Sequence, residues 1–418
     1  MDKNTLSAAK RREANARARE LRERIADYCK VSATIPTGIN ARQRIEAQKN
    51  RILKILGGAE GDWNDWKWQL KNRITEPELL AEIIELSPQE LEDIRATGAK
   101  YRWALSPYYA SLIDPDDPNC PVRLQSVPKI TEILDETGTL DPMAEERTSP
   151  VAGITRRYPD RLIVYVTNQC AMYCRHCQRR RKIGETDENT PRECLSQCLE
   201  YIRDNPEIRD VLLTGGDALL LDNDTIDWLL GELDAIPSVE IKRLGTRTPV
   251  TMPQRITPEL CRILERHHPV YVNTQFNHPL EVTREAAEAC ALLAGAGVPL
   301  GNQAVLLAGI NDSPHVMKKL NQELLKIRVR PYYIFHAKSV RGTRHFGTSI
   351  ETGLEIMDKL RGYTSGLAVP TYVINAPEGY GKTPVLPDYL LWLTPEQAVI
   401  RTWENRIMSI PNQQAKRA

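Results

Sequence analysis

The run Cys170-Ala171-Met172-Tyr173-Cys174-Arg175-His176-Cys177 decides both the fold and the chemistry of this chain. It places three thiols at a CxxxCxxC spacing directly after the apolar, β-branched stretch Arg161–Thr167, which is predicted to be a strand. Four thiolates close a structural zinc site or an electron-transfer cluster, whereas three thiolates on a four-iron cluster leave one iron without a protein ligand. The run therefore predicts an iron–sulfur site that is open to a small molecule.

Two other interpretations of the cysteines stay open: a zinc site with His176 as fourth ligand, and thiols that serve structure alone. His176 lies between two of the cysteines on a tight loop and could hardly reach the ion that they would bind. The spacing resembles the signature of the radical S-adenosylmethionine (SAM) enzymes, in which the methionyl amino and carboxylate groups chelate the unique iron. The resemblance implies a [4Fe-4S] cluster on Cys170, Cys174 and Cys177, with SAM as its partner.

Charge and composition exclude several classes of partner. The 56 Lys and Arg residues nearly balance the 55 Asp and Glu residues, so neither nucleic acid nor an anionic membrane is indicated. No run of about 18 apolar residues and no apolar N-terminal signal segment occurs, and a cytoplasmic location is expected. Nine cysteines fit a reducing compartment. Cys194 and Cys198 could form a redox pair on a predicted helix, but two buried core thiols are the favoured interpretation.

The pattern of apolar residues changes after residue 160. Helical pieces with Pro-rich turns precede it, whereas apolar runs and amphipathic stretches then alternate at intervals of roughly 30 residues. This alternation predicts an α/β fold, a partial (βα)6 TIM-like barrel with a helical N-terminal extension. The predicted strands are 161–167, 210–214, 238–245, 270–275, 299–307 and 329–335, with a further strand at 371–376. The predicted domains are a helical region 1–150, the barrel core 151–345 and a C-terminal segment 346–418.

In such barrels the functional residues follow the C-terminal ends of the strands. The second predicted strand ends in Thr214-Gly215-Gly216-Asp217, where two glycines allow a backbone to approach a ligand and a carboxylate can accept from an ammonium. The motif is similar to the Gly-Gly-Glu element by which radical SAM enzymes hold the methionyl amino group. Asn302 and Gln303 end another strand and are predicted to bind the SAM ribose or carboxylate.

A second motif, Asn375-Ala376-Pro377-Glu378-Gly379-Tyr380-Gly381-Lys382-Thr383-Pro384, also follows a predicted strand. Ala376 and Pro377 stand where a nucleotide phosphate loop needs its first glycine, so such a loop is not expected. A single lysine on a glycine-rich turn is suited to form a Schiff base with pyridoxal phosphate (PLP), although a surface lysine is the alternative.

Together these motifs resemble the lysine 2,3-aminomutase family over residues 57 to 390. Further matching stretches are Asp62-Trp63-Asn64-Asp65-Trp66, Arg157-Tyr158-Pro159-Asp160-Arg161 and Arg328-Val329-Arg330-Pro331-Tyr332-Tyr333. The resemblance implies that Lys382 anchors PLP, that Arg157 and Arg161 hold its phosphate, and that Phe335 lies against its ring. It also implies that Arg179 clamps the substrate α-carboxylate. Arg180 and Arg181 are interpreted as a solvated face.

The chain departs from the family at two substrate positions. The lysine enzymes hold the distal ammonium with two aspartates, and here those positions are Lys338 and Asn375. An ammonium beside Lys338 would meet like charge, whereas a carboxylate would gain an ion pair and an amide hydrogen bond. The departure predicts an isomerase that moves the α-amino group of L-glutamate to C3 to give L-β-glutamate. A lysine aminomutase and a noncatalytic iron–sulfur or zinc scaffold are the alternatives.

The resemblance also bears on metals and partners. The lysine enzymes bind zinc between subunits through cysteines near the C-terminus and one before a helix, where this chain has Ser313 and no cysteine after Cys290. No zinc is therefore predicted. The expected partners are a small amino acid substrate, a reductant for the cluster, and further copies of the chain in a homo-oligomer.

Overall fold

The computed structural model describes residues 8–412. Its N-terminal part is helical, as predicted. Its α-helices before the first strand are α1 (Ala8–Glu23), α2 (Ala26–Val31), α3 (Arg42–Leu56), α4 (Glu60–Trp63), α5 (Trp66–Lys71), α6 (Pro77–Ile83), α7 (Pro88–Lys100), α8 (Pro107–Ser111), α9 (Pro121–Ser126) and α10 (Thr131–Leu134). Helix α1 buries none of its residues, which agrees with its polar composition.

Helix α7 shows how local sequence sets an element boundary. The Ser87 hydroxyl accepts from the Glu90 backbone N–H, and the Glu90 carboxylate accepts from the Ser87 backbone N–H. Pro88 occupies the first helical position, where its missing N–H costs nothing. Ser87 and Glu90 therefore form a capping box at the start of α7.

A nine-stranded open sheet follows, and its strands lie side by side in chain order. Strands β2 to β8 are parallel, while β1 and β9 pair antiparallel at the two edges. The strands are β1 (Ile154–Thr155), β2 (Arg161–Thr167), β3 (Asp210–Gly215), β4 (Ile241–Gly245), β5 (Val270–Thr274), β6 (Leu300–Leu306), β7 (Val329–His336), β8 (Thr371–Asn375) and β9 (Lys382–Pro384). The predicted partial barrel is confirmed.

Helices lie between the parallel strands and close one side of the core. They are α11 (Arg192–Asp204), α12 (Asn223–Asp234), α13 (Thr248–Thr251), α14 (Pro258–Arg266), α15 (Arg284–Gly295), α16 (Pro314–Lys326) and α17 (Ile350–Leu360). Short 3-10 turns occur at Glu146–Thr148, Arg180–Lys182, Ala218–Leu220, Pro253–Arg255, Pro279–Glu281, Arg344–Phe346, Gly366–Ala368 and Pro377–Gly379. One continuous apolar core runs from α3 through the sheet to α17.

One predicted boundary differs from the structure for a local reason. The strand predicted from residue 238 begins at Ile241, because the Val239 N–H bonds back to the Ile236 carbonyl and closes a turn. Helix α15 begins at Arg284 after the 3-10 turn Pro279–Glu281, and Thr283 caps it.

After β9 the chain forms a separate three-stranded antiparallel sheet: β10 (Leu390–Leu393), β11 (Gln397–Arg401) and β12 (Ile407–Pro411). Strands β10 and β12 are exposed along their whole length although they are largely apolar. Between residues 8 and 412, no helix is long and apolar enough to cross a membrane. The domain limits at residues 150 and 345 stay a prediction, and the outer ends of the first and last domains lie outside the described residues.

Candidate active site

A cavity of about 630 Å³ opens at the carboxyl ends of the parallel strands. This is the edge at which a barrel of this type collects its functional loops. The cavity brings together residues that are far apart in sequence. The predicted site residues that line it are Cys170, Cys174, Cys177, Thr214, Gly215, Gly216, Asp217, Gln303, Arg157, Arg161, Phe335, Arg179, Lys338, Asn375 and Lys382.

Asn302 is the predicted residue that does not line the cavity. Its side chain is buried, and its amide accepts from the Phe276 N–H and donates to the Phe276 carbonyl. Neighbouring residues of a strand point to opposite faces, so Gln303 faces the cavity and Asn302 faces away from it. A contact of Asn302 with SAM stays a prediction, and in the structure this residue links β6 to the segment that follows β5.

The cysteine loop is tied to the N-terminal helices. Arg175 is 2% exposed, and its Nε and Nη2 donate to both carboxylate oxygens of Glu132 at 3.0 and 2.7 Å. Its backbone N–H donates to the Gln125 carbonyl, and that of Tyr173 donates to the Ala104 carbonyl. A buried bidentate pair of this kind holds the loop in one conformation.

All three thiols of the cysteine loop line the cavity. Within residues 8–412, no three His, Cys, Asp or Glu side chains converge on one position that could hold a metal ion. Burial raises the pKa of Cys170 and Cys177. It also lowers the pKa of His176, which therefore faces the cavity as a neutral ring.

The two glycines at the end of β3 pack closely against residues 167 to 169. A Cβ on Gly216 would lie 2.3 Å from the Gln169 carbonyl oxygen, and one on Gly215 would lie 2.3 Å from that of Thr167. Gly215 also has φ +135°, which favours glycine. The Asp217 carboxylate is held by the Thr246 hydroxyl and by the Arg247 N–H. This packing braces the cysteine loop, and because both glycines also line the cavity, their approach to SAM stays a prediction.

The opposite end of the cavity carries unpaired positive charge. Arg157 has a buried Nη1 without a hydrogen-bond partner, which is what an anion site lacking its anion would show. The Arg161 guanidinium lies 4.0 Å from the Tyr158 ring centroid. The Tyr158 hydroxyl accepts from the Lys382 backbone N–H at 2.9 Å. These residues fit the phosphate and the anchoring lysine of PLP.

Lys382 has an environment suited to a nucleophilic amine. Its Nζ lies 5.3 Å from the Tyr158 ring centroid and 6.0 Å from that of Phe335. Burial, followed by the charges of Arg243 and Arg157, lowers the pKa of Lys382 to about 8. A free amine is the form that attacks an aldehyde, so this lowering favours attachment of PLP.

The predicted substrate residues meet on the same side of the cavity. Asn375 pairs with Lys382 across the antiparallel β8 and β9 strands, and its Nδ2 is buried without a partner. Lys338 has its Nζ 5.1 Å from the Phe335 ring centroid and forms no ion pair with any residue between 8 and 412. Burial, then Arg179 and Lys382, lowers the pKa of Lys338 to about 7.

Arg179 is already partly engaged. Its Nε donates to Glu145 Oε1 at 2.9 Å, and its guanidinium lies 5.2 Å from the Tyr165 ring centroid. The positive charges of Arg179 and Lys182 hold the pKa of Glu145 at about 2 against the opposing effect of burial. Glu145 is therefore ionised and fixes the direction of Arg179, while the outer guanidinium nitrogens remain for a ligand.

The interpretation of Arg180 and Arg181 as a solvated face is wrong. The Arg180 guanidinium forms an ion pair with the buried Glu132, and that of Arg181 contacts Asp141 and Glu145. The run of three arginines is therefore a set of buried or half-buried anchors. Sequence patterns do not reveal this, because the carboxylates that pair with it lie 34 to 48 residues earlier.

Arg247 belongs to none of the sequence motifs, yet its Nη1 donates to Cys174 Sγ at 2.9 Å. The sequence indicates Arg247 only by its position, since Gly245 ends β4 and Arg247 follows two residues later, at the same edge of the sheet as the other motifs.

Cys194 and Cys198 both donate to the Ala152 carbonyl as free thiols. Cys198 is buried, as expected, while Cys194 is half-buried at the cavity wall.

Comparisons with known proteins agree with this geometry. Residues 164–320 match the family model described as the Radical SAM superfamily, and residues 357–417 match the one described as Lysine-2,3-aminomutase. A glutamate 2,3-aminomutase of Clostridioides difficile is 56% identical over 96% of this chain and 94% of its own length. The L-lysine 2,3-aminomutases of Clostridium subterminale and Bacillus subtilis are 51% and 49% identical over 84% of this chain, and over 84% and 75% of their own.

Proposed function

Since the chain belongs to the lysine 2,3-aminomutase family of radical SAM enzymes, we propose that its substrate is L-glutamate, whose α-amino group it moves to C3 to give L-β-glutamate. Family membership makes the protein an aminomutase, an isomerase that acts on a small amino acid. It uses a [4Fe-4S] cluster, SAM and PLP. Which amino acid it accepts depends on the residues that line its own cavity.

The residues present fit these cofactors. Cys170, Cys174 and Cys177 would hold the cluster, while Arg157 and Lys382 would hold PLP by its phosphate and its aldehyde carbon. When bound, the cluster and SAM supply a hydrogen-abstracting radical, and PLP supplies an unsaturated nitrogen across which an amino group migrates. The protein's task is to hold C3 of the substrate toward SAM and to keep water out of the cavity.

The charge around Lys338 and Asn375 carries the substrate assignment. Lys338 lacks an ion pair within the described chain, and Asn375 has a buried amide nitrogen without a partner. A carboxylate would accept from the Lys338 amine and from the Asn375 Nδ2, whereas an ammonium can accept from neither. The acids among the cavity-lining residues are Asp217, whose carboxylate is held by protein donors, and the exposed Glu188. A distal ammonium beside Lys338 would therefore meet like charge.

Glutamate offers one carboxylate to each end of this arrangement. Arg179 is fixed by Glu145 and presents its outer nitrogens to the α-carboxylate. The side-chain carboxylate then extends to Lys338 and Asn375. With both ends held, the substrate carbons between them have one orientation, which is the condition for removing hydrogen from C3 alone.

The test is a paired assay of β-amino acid formation from L-glutamate and L-lysine. We expect the wild-type enzyme to prefer glutamate. Reversing the charge with Lys338→Asp and Asn375→Asp should lower kcat/KM for glutamate at least about 100-fold, because a few kcal/mol of attraction becomes repulsion. The same pair of substitutions should raise turnover of lysine.

The matched control is Lys54→Asp, because Lys54 is an exposed lysine on α3 far from the cavity. It should leave both activities unchanged. A wild-type enzyme that prefers lysine would contradict the assignment and favour a lysine aminomutase. Reconstituted protein that holds neither iron nor PLP would contradict both enzymes and favour a scaffold.

We further propose a cytoplasmic homo-oligomer whose cluster receives single electrons from a reductant. The nine cysteines are free thiols in the described chain, which suits a reducing compartment. The exposed apolar strands β10 and β12 support self-association.

A further inference from the structure

Arg247 is a charged residue at the cluster site to which neither motif nor resemblance assigns a role. It follows β4 and immediately precedes α13, and it is 8% exposed. Its Nη1 donates to the sulfur of Cys174 at 2.9 Å. Arginine keeps its charge at any working pH, so a permanent cation lies against one of the three cysteine sulfurs.

The rest of the guanidinium is held firmly. Its Nε donates to the Gln275 carbonyl at 3.0 Å, and its Nη2 donates to Glu281 Oε1 at 2.7 Å and to Gln125 Oε1 at 2.6 Å. Glu281 is itself fully buried, and its other oxygen accepts from the Asn277 and His278 backbone N–H groups. Arg247 therefore cannot turn away from Cys174 without breaking several buried hydrogen bonds.

We propose that Arg247 is a positioning residue that raises the reduction potential of the [4Fe-4S] cluster through its hydrogen bond to the Cys174 sulfur. The proposal rests on the cluster assigned under the proposed function, but not on the identity of the substrate. Reduction transfers one electron from a low-potential one-electron donor to the oxidised cluster, and no bond is made or broken. The added negative charge spreads onto the cysteine sulfurs, where a donated N–H and a positive charge stabilise it.

The negative charge of Glu281 should lower the reduction potential that the positive charge of Arg247 raises. Its carboxylate is the counter-charge of Arg247 and accepts from Nη2, whereas the Cys174 sulfur accepts from Nη1. It therefore reduces the positive potential that the cluster experiences. Removing the Glu281 charge should shift the reduction potential in the direction opposite to the shift caused by removing the Arg247 charge.

The experiment is a potentiometric titration of the full-length, anaerobically reconstituted enzyme with titanium(III) citrate, followed by the EPR signal of the reduced cluster. We expect Arg247→Gln to bind as much iron as wild type but to have a more negative midpoint potential. Glu281→Gln should have a less negative midpoint. Arg247→Lys, which keeps the charge, should lie between Arg247→Gln and wild type.

Arg255→Gln is the matched control. Arg255 is also a buried arginine, but it donates to the Leu219 and Leu221 carbonyls and touches no cysteine. It should lower thermal stability without changing the midpoint, as any purely structural arginine would.

Two results would overturn the proposal. One is an unchanged midpoint in Arg247→Gln protein that has its full iron content. If Arg247→Gln does not retain iron, unchanged midpoints in both Arg247→Lys and Glu281→Gln would overturn it equally. Preference of the wild-type enzyme for lysine would remove the substrate assignment and leave this proposal standing, so the two failures can be told apart.

Discussion

Lys382 shows how much a single residue depends on its neighbours. Its motif marks it as a candidate PLP lysine, but a glycine-rich turn is equally compatible with a surface lysine. Burial of its amine, followed by the charges of Arg243 and Arg157, lowers the pKa of Lys382 to about 8, and Lys382 lines the cavity although the residue as a whole is exposed. This environment distinguishes a reactive lysine from an ordinary one.

Lys382→Ala should abolish turnover because PLP then has no covalent anchor. The variant should lose the absorbance at about 410 nm that is expected of a PLP–lysine aldimine, while it retains the iron content of wild type. Lys359→Ala, at an exposed position on α17, is the control and should keep both. Wild-type activity in Lys382→Ala would remove the PLP assignment.

Loading of PLP should also depend on pH through the same residue. The pKa of Lys382 is lowered to about 8, so the reactive free amine is the minor form below that pH and the major form above it. The rate of PLP uptake by the PLP-free enzyme should therefore rise as pH increases from 6.5 to 9. Stopped-flow absorbance measures it, and a rate that falls over this range would contradict the prediction.

The titration of Lys338 should make substrate binding weaker as pH rises, whereas PLP uptake should become faster over the same range. The pKa of Lys338 in the free site is lowered to about 7, so its charge is present below that pH and is lost above it. The KM for glutamate should accordingly rise as pH increases beyond about 7. Lys338→Arg stays protonated and should show a flatter profile, which separates this effect from the titration of Lys382.

At the scale of elements, the cavity depends on how closely the loop after β3 packs against the cysteine loop. Gly215 and Gly216 lie where any side chain would meet the backbone of residues 167 to 169. Asp217 then accepts from Thr246 and Arg247 and joins the loops after β3 and β4. The loops after β2, β3 and β4 thus pack against one another. This packing sets the positions of the cysteines, which lie on the first of these loops.

Gly216→Ala should disturb the cysteine loop, because its Cβ would lie 2.3 Å from one backbone atom and 2.6 Å from another. We expect reduced iron content after reconstitution, together with a lower melting temperature. Gly295→Ala, at the end of α15 with open space around it, is the matched control and should keep both at wild-type values. Full iron binding in Gly216→Ala would show that the loop accommodates the shift.

At the scale of the whole molecule, the C-terminal sheet leaves apolar residues exposed. Trp392 on β10 is 54% exposed and Ile407 on β12 is 68% exposed. Apolar residues exposed on two strands of one sheet favour contact with another protein surface. This exposure provides the structural basis for expecting self-association.

Sedimentation of the wild-type enzyme should therefore show an oligomer, and Trp392→Asp combined with Ile407→Asp should shift it to a smaller species. The variant should retain its iron and PLP spectra, because neither residue lines the cavity. A wild-type monomer at all accessible concentrations would contradict the prediction.

The assembly should not depend on zinc. The chain has no cysteine after Cys290 and has a serine at position 313, so the expected thiol ligands are missing. Elemental analysis should find iron without stoichiometric zinc, and a zinc chelator should leave the sedimentation profile unchanged. Dissociation by the chelator would show that other residues bind zinc.

The sequence by itself determined the chemistry of this protein and the order of its strands. Cysteine spacing, a lysine on a glycine-rich turn and alternating apolar runs are local signals, readable because each depends on residues close together in the chain. The substrate assignment followed from two residues, Lys338 and Asn375, read against a family pattern.

Only the tertiary structure decided which side chains have partners. It placed Arg247 on the Cys174 sulfur and Glu145 on Arg179, and it turned Asn302 away from the cavity. These contacts join residues 26 to 73 positions apart, and an ion pair or a buried hydrogen bond leaves no periodic trace in the sequence. The physical reason is that burial and charge pairing depend on distances across the fold, and those distances are set only when the whole sheet has formed.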